Sequence, residues 1–235
     1  MNIKPGKFLL LSVFVLSLSQ LIHSPSFADS DWQLRKDKKG IQVYTRSVAG
    51  TDFDAFKAEI ILDTTLSTLM AVHTDVAYVK EWMKDCDESE LLSELTPTGY
   101  TAYFKTDSPW PVKDRDYALR YTIAQDPKTH AVKLSFITEV GLVPKSDDCV
   151  RITKINGFWE MTPLQSEEGQ HQVKVNYQVE ADPGGSVPSW LANSFVVDQP
   201  YESLQKLRDR VKMDQYQNKT FSFIKDPFRG LNLSP

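Results

Sequence analysis

Histidine and cysteine, the side chains that most often bind metals or attack substrates near neutral pH, are scarce in this chain. It has 4 histidines and 2 cysteines in 235 residues. No Cys or His stands at ligand spacing from Cys86 or Cys149, which removes the common zinc motifs. His73, His130 and His171 fall near a helix end, in a turn and at a strand start. G-x-S-x-G, H-E-x-x-H and glycine-rich phosphate loops are absent as well, so no nucleophile elbow, zincin or nucleotide-binding signature exists. The acidic run "DCDESE" at 85–90 lacks the alternating ligands and central glycine of a calcium loop and reads as a solvated helix end. No metal and no cofactor is expected. Positive charge is not in excess: 27 Lys and Arg stand against 31 Asp and Glu, a formal charge of −4. Such a chain has no electrostatic reason to bind nucleic acid.

Long apolar runs are missing too, with one exception. Phe8 to Leu18 is apolar apart from Ser12 and Ser17, follows Lys4 and Lys7, and precedes Ser26-Phe27-Ala28. A positive start, a short apolar stretch and a small-x-small site describe a secretory signal peptide over residues 1–28, cleaved near Ala28. The run is short for a membrane span, and the first cysteine is too distant for a lipid-modified N-terminus. The mature chain is therefore expected to be periplasmic or secreted. Losing Lys4 and Lys7 with no acid takes the formal charge from −4 to −6. About 200 residues remain, enough for one domain with a sizeable core or cavity. After export Cys86 and Cys149 meet an oxidising environment, where a disulfide can form, but spacing alone does not decide whether they pair.

What is present is an ordered series of patterns. Ile41–Val48 and Asp52–Asp63 read as strands. Residues 64–85 read as two short helices joined near Thr74-Asp75, with Thr64 or Thr65 as cap. From Glu88 to Asp182 about six strands follow, separated by the turn signals "TPTG" (96–99), "DPKT" (126–129) and "SEEGQ" (166–170). Val173, Val175, Tyr177 and Val179 alternate with Lys174, Asn176, Gln178 and Glu180, one dry face and one wet face of an antiparallel sheet. After "ADPGGSVP" the period becomes helical from Ser189 to Met213, with a kink or break expected near Asp198 because Pro200 cannot donate a backbone bond. Residues 214–235 show no period and are expected to form a loosely held tail. The fold class is α+β: a helix-grip, in which a curved antiparallel sheet wraps a long C-terminal helix and leaves an internal ligand cavity.

Three segments in this order carry a resemblance. "PWPVKDRDYALR" (109–120), "GFWEMTPL" (157–164) and "ADPGGSVPSWLAN" (181–193) make residues 29–213 resemble the START domain, the lipid-transfer family related to steroidogenic acute regulatory protein, here as an exported bacterial member. The resemblance implies a tunnel for one lipid-like molecule and no catalysis. It places Trp110, between Pro109 and Pro111, in a loop at the tunnel mouth, and Gly184-Gly185 in the gate loop facing it. It also puts Arg120 at a position where several members hold a charge inside the cavity, with Thr101 where some carry a partner acid. Thr101 and the Tyr103 hydroxyl would then meet the guanidinium, and Trp190 and Phe195 would line the wall. Periodicity alone reads Arg120 differently: Tyr117, Leu119, Tyr121 and Ile123 form the apolar set, leaving Arg120 on the opposite, solvated face. The expected partners are a lipid or other hydrophobic small molecule and, transiently, a membrane, with the chain acting as a monomer. Cyclase- or hydrolase-like use of the same cavity is the enzymatic alternative, and a ligand-sensing module is a third.

Overall fold

The computed structural model describes residues 1, 31–165 and 171–227. The expected leader (1–28), the turn at 166–170 and the last residues of the tail (228–235) lie outside the described residues. Among the described residues no helix is long and apolar enough to cross a membrane.

Strict alternation makes the strands. In β2 (Ile41–Ser47) Ile41, Val43 and Thr45 are buried, and in β3 (Asp54–Asp63) Phe56, Ala58, Ile60 and Leu62. The preceding β1 (Gln33–Lys38) has no such alternation. It is mostly exposed and forms only because it pairs with β2. After β3 come α1 (Leu66–Thr74) and a short 3-10 helix (Val76–Glu81), meeting at Asp75. Seven more strands follow: β4 (Cys86–Leu91), β5 (Gly99–Thr106), β6 (Asp114–Gln125), β7 (Val132–Thr138), β8 (Cys149–Arg151), β9 (Lys154–Gln165) and β10 (His171–Asp182). They form one sheet in the order β1-β2-β3-β10-β9-β7-β6-β5-β4, and β8 joins β6 as its parallel neighbour. All the other pairs are antiparallel. Gly157 sits where strands approach closely: a Cβ there would run into Gln178 O and the Phe136 ring.

The sheet closes over two helical elements. Thr65 caps α1 by accepting from Thr68 N at 3.1 Å. A second cap comes from far along the chain, where the Asp226 carboxylate accepts from Leu66 N (2.8 Å) and Ser67 N (3.1 Å). The described part of the tail, residues 214–227, is therefore docked, not loose: Tyr216 and Ile224 are 3% and 8% exposed, and the Tyr216 hydroxyl donates to Asp75 at 2.8 Å. The final helix α2 (Ser189–Arg210) runs unbroken through Pro200. The expected break near Asp198 is absent because the missing N–H costs one bond, while Pro200, Tyr201, Leu204 and Leu207 are all buried against the sheet.

The cysteines do not pair. Both are free. Cys86 lies opposite Thr106, Thr106 opposite Arg115, and Arg115 opposite Val150 next to Cys149. Three strand spacings put the two thiols about 14 Å apart across the sheet, beyond the reach of a disulfide.

Candidate functional site

The dry face of the sheet does not fill against α2 along its whole length. The C-terminal half of α2 seats Tyr201, Leu204 and Leu207 in closed core. Its N-terminal half instead borders a cavity of about 260 Å³ through Leu191, Ala192, Phe195, Val196 and Gln199. From β6 come Arg115, Tyr117, Leu119 and Tyr121. Phe104, Phe136, Trp159, Tyr177 and Val179 complete most of the opposite wall. Among the described residues no histidine or cysteine lines it.

Aromatic stacking closes the inner end. Trp159 lies flat on Tyr177 with ring centroids 3.6 Å apart, and Tyr121 stacks on Tyr100 at 4.5 Å. His73 fills the space behind, edge-on to Trp82 (5.2 Å) and Trp159 (4.8 Å). Burial pushes the phenols of Tyr117, Tyr121 and Tyr177 well above the ordinary tyrosine range, so they remain neutral hydroxyls facing an apolar space.

The open end is polar and made of loops. Thr106 ends β5, Asp107, Ser108, Pro109 and Val112 come from the β5–β6 connection, and Pro183 and Val187 from the segment before α2. Lys84 borders the same opening but is already paired with Asp85 (3.0 Å) and Glu202 (3.5 Å), Asp85 chiefly holding its pKa up. Gly184 and Gly185 adopt φ of 64° and 65°, left-handed backbone that suits glycine, and stand outside the lining beside Val150.

Arg120 is not in the cavity. Its side chain is 59% exposed and its Nε donates to Glu139 Oε2 at 2.6 Å. Side chains alternate along β6, and the face that carries Tyr117 and Tyr121 is the one turned inward, so an even-numbered position points out. Thr101 and Tyr103, cross-strand from Arg120 and Ala118, share that outer face and do not line the cavity. The Tyr103 hydroxyl instead donates to Asp116 at 3.3 Å, whose carboxylate Arg151 grips with two bonds of 2.8 and 2.7 Å. Burial, with Asp116 alongside, raises the Tyr103 phenol to about 12. Among the charged residues of β6, the one that lines the cavity is Arg115, which shares the parity of the apolar set. That parity was the signal available in the sequence.

The remaining expected residues divide. Phe195 and Pro109 line the cavity; Trp110, Pro111, Gly184, Gly185 and Trp190 do not. Trp110 and Trp190 are 92% and 74% exposed, each beside lining residues of its own segment.

A START domain family model matches residues 16–216. An uncharacterised protein of Pseudomonas aeruginosa is 36% identical over 178 residues, 76% of this chain and 85% of that protein. The phosphatidylcholine transfer protein of Rattus norvegicus is 26% identical over 176 residues, 73% of this chain and 79% of its own length. The crystal structure of a STAR-related lipid transfer protein from Xanthomonas axonopodis superposes with a TM-score of 0.70 at 33% identity, covering 78% of this chain and all but 1% of that one (99%). Family model, sequence relatives and structure agree with the cavity between sheet and α2: the chain belongs to the START domain family.

Proposed function

We propose that this chain is an exported bacterial carrier that holds one lipid-like molecule in the cavity between the sheet and the N-terminal half of α2, and exchanges it at a membrane as a monomer. The observation that carries the reading is the mostly apolar wall running from Tyr117 to Tyr121 on one side and from Phe195 to Gln199 on the other. Each methylene withdrawn from water contributes about 0.8 kcal/mol, so one long acyl chain represents roughly 10 kcal/mol or more that a carrier must match with dry surface. The relatives named for phosphatidylcholine and lipid transfer support the same reading. Export rests on the leader pattern of residues 1–28.

Exchange requires the mouth to reach a bilayer. Trp110 and Trp190 stand almost bare on the two segments that frame it. Indole favours the membrane interface, where its ring is half wet and half dry. The Gly184-Gly185 turn supplies the backbone freedom for the facing lip to swing.

The test is organic extraction of protein purified from cells, followed by mass spectrometry, together with uptake of fluorescent fatty acid, sterol and phospholipid from vesicles. One co-purifying amphiphile per chain, or stoichiometric uptake of one probe, is the expected result. A protein that arrives empty and takes up none of the three overturns the proposal.

A further inference from the structure

Arg115 is the one charged side chain of β6 that points into the cavity, and its surroundings are unusual for an arginine. It is 6% exposed and lines the opening. Its Nη1 donates to Ser108 Oγ at 3.2 Å and to Lys113 O. Its Nε reaches only Pro183 O, at 3.5 Å, the outer limit of a hydrogen bond. Nη2 has no hydrogen bond, and no carboxylate lies in ion-pair contact with the guanidinium, among the described residues. Asp114, next along the chain, is engaged by Ser108 N at 3.0 Å. Arginine does not give up its proton in proteins, so a full positive charge is buried with one edge held by neutral acceptors and the other, Nε–Nη2, almost unpartnered.

That edge presents two parallel N–H groups, the fork that a carboxylate or phosphate oxygen pair matches. Asp107 lines the same opening, and burial with Asp87 and Asp114 nearby raises its pKa. Inward of Arg115 along β6 the wall continues with Tyr117, Leu119 and Tyr121, spanning about 20 Å of strand.

We infer that Arg115 is the head-group site: the carried lipid bears an anionic oxygen pair that docks on the Nε–Nη2 edge at the mouth, with its hydrocarbon directed inward. The inference rests on the carrier reading and adds the chemical class of the ligand and its orientation. Two sources supply such a group, the carboxylate of a free fatty acid and the phosphodiester of a phospholipid. Docking there replaces the long Pro183 contact, so the guanidinium that joins the two lips also recognises the ligand.

The experiment compares charged and neutral partners with the same tails on the wild-type chain: palmitate against hexadecanol, and dioleoylphosphatidylcholine against dioleoylglycerol presented in vesicles. The expected result is a preference of about tenfold or more for the charged member of one pair, and which pair shows it identifies the source. Arg115→Gln removes that preference, and Arg115→Lys, charged but without the fork, falls between. Equal binding within both pairs overturns this inference alone, and because it is read on the wild type it does not depend on either variant folding. Failure to bind any of the four overturns this inference, and the carrier reading falls with it only if the protein also arrives empty and takes up no sterol.

Discussion

His73 shows what one residue contributes behind the cavity. Its Nδ1 lies 2.8 Å from Leu69 O. A carbonyl only accepts, so Nδ1 carries the proton of the neutral ring, and Nε2 is left buried without a partner. Burial pushes the pKa down to about 4, against an ordinary value near 6.5. Between those values the unfolded chain takes up a proton that the native chain refuses, so stability declines as pH falls from about 6.5 to about 4, by about 3 kcal/mol in total. Urea midpoints at pH 7, 5.5 and 4 should trace this slope, and His73→Asn should flatten it whatever its absolute stability. An equally steep slope in that variant would assign the effect to other groups. Trp110 is the opposite case. At 92% exposure it contributes little to packing, so Trp110→Ala should shift stability by less than about 0.5 kcal/mol while slowing vesicle-to-vesicle transfer several-fold, as read by fluorescent-lipid dequenching. Residue-level legibility has the same asymmetry. The sequence placed Tyr117, Leu119 and Tyr121 on one face of β6, but which face was hollow is a tertiary fact. Arg115 shares their parity, whereas Arg120 does not and pairs outside with Glu139 on the connection after β7.

At the scale of elements, regular alternation was what could be read. β10 announced itself because its odd positions from Val173 to Ala181 are all apolar, and α1 with its 3-10 extension followed from helical spacing and the Thr65 cap. β1 was not legible, since "QLRKDK" carries no alternation and is ordered only by its neighbour. Nor was the docking of the tail, whose Asp226 reaches the start of α1 from 160 residues away. α2 is a single helix with two jobs, and its halves should separate by mutation. Leu204 is fully buried in the closed core, so Leu204→Ala should cost about 2–5 kcal/mol, the usual range for a buried leucine left as a void. Leu191 borders space that is already empty, so Leu191→Ala should cost clearly less and act mainly on lipid retention. Chemical denaturation of the lipid-free protein, set beside probe uptake, checks both. Similar destabilisation by the two substitutions would mean that the N-terminal half of the helix is packed as tightly as the rest.

For the described residues the governing fact is that one curved sheet is covered by α2 and the short α1 segment, and together they do not fill the concave face from end to end. The residual space is lined by the same kind of residues that fill the core, which is why the helix-grip was readable from the order of elements while the cavity's position was not. Interiors are otherwise close-packed, and an unfilled apolar space loses contacts that the same residues could have made. The hollow is therefore a stability deficit, and filling it should separate function from folding. Ala192 lies on the cavity side of α2, and Ala192→Trp would project an indole into the 260 Å³ of open space. The lipid-free variant should keep its far-UV circular dichroism and melt no lower than the wild type, because the ring enters a void rather than a packed core. It should at the same time lose most co-purifying amphiphile and most uptake of the fluorescent probes. A variant that melts well below the wild type would show the space to be closed around Ala192. One that folds normally and still loads lipid would move the binding site away from the face of α2.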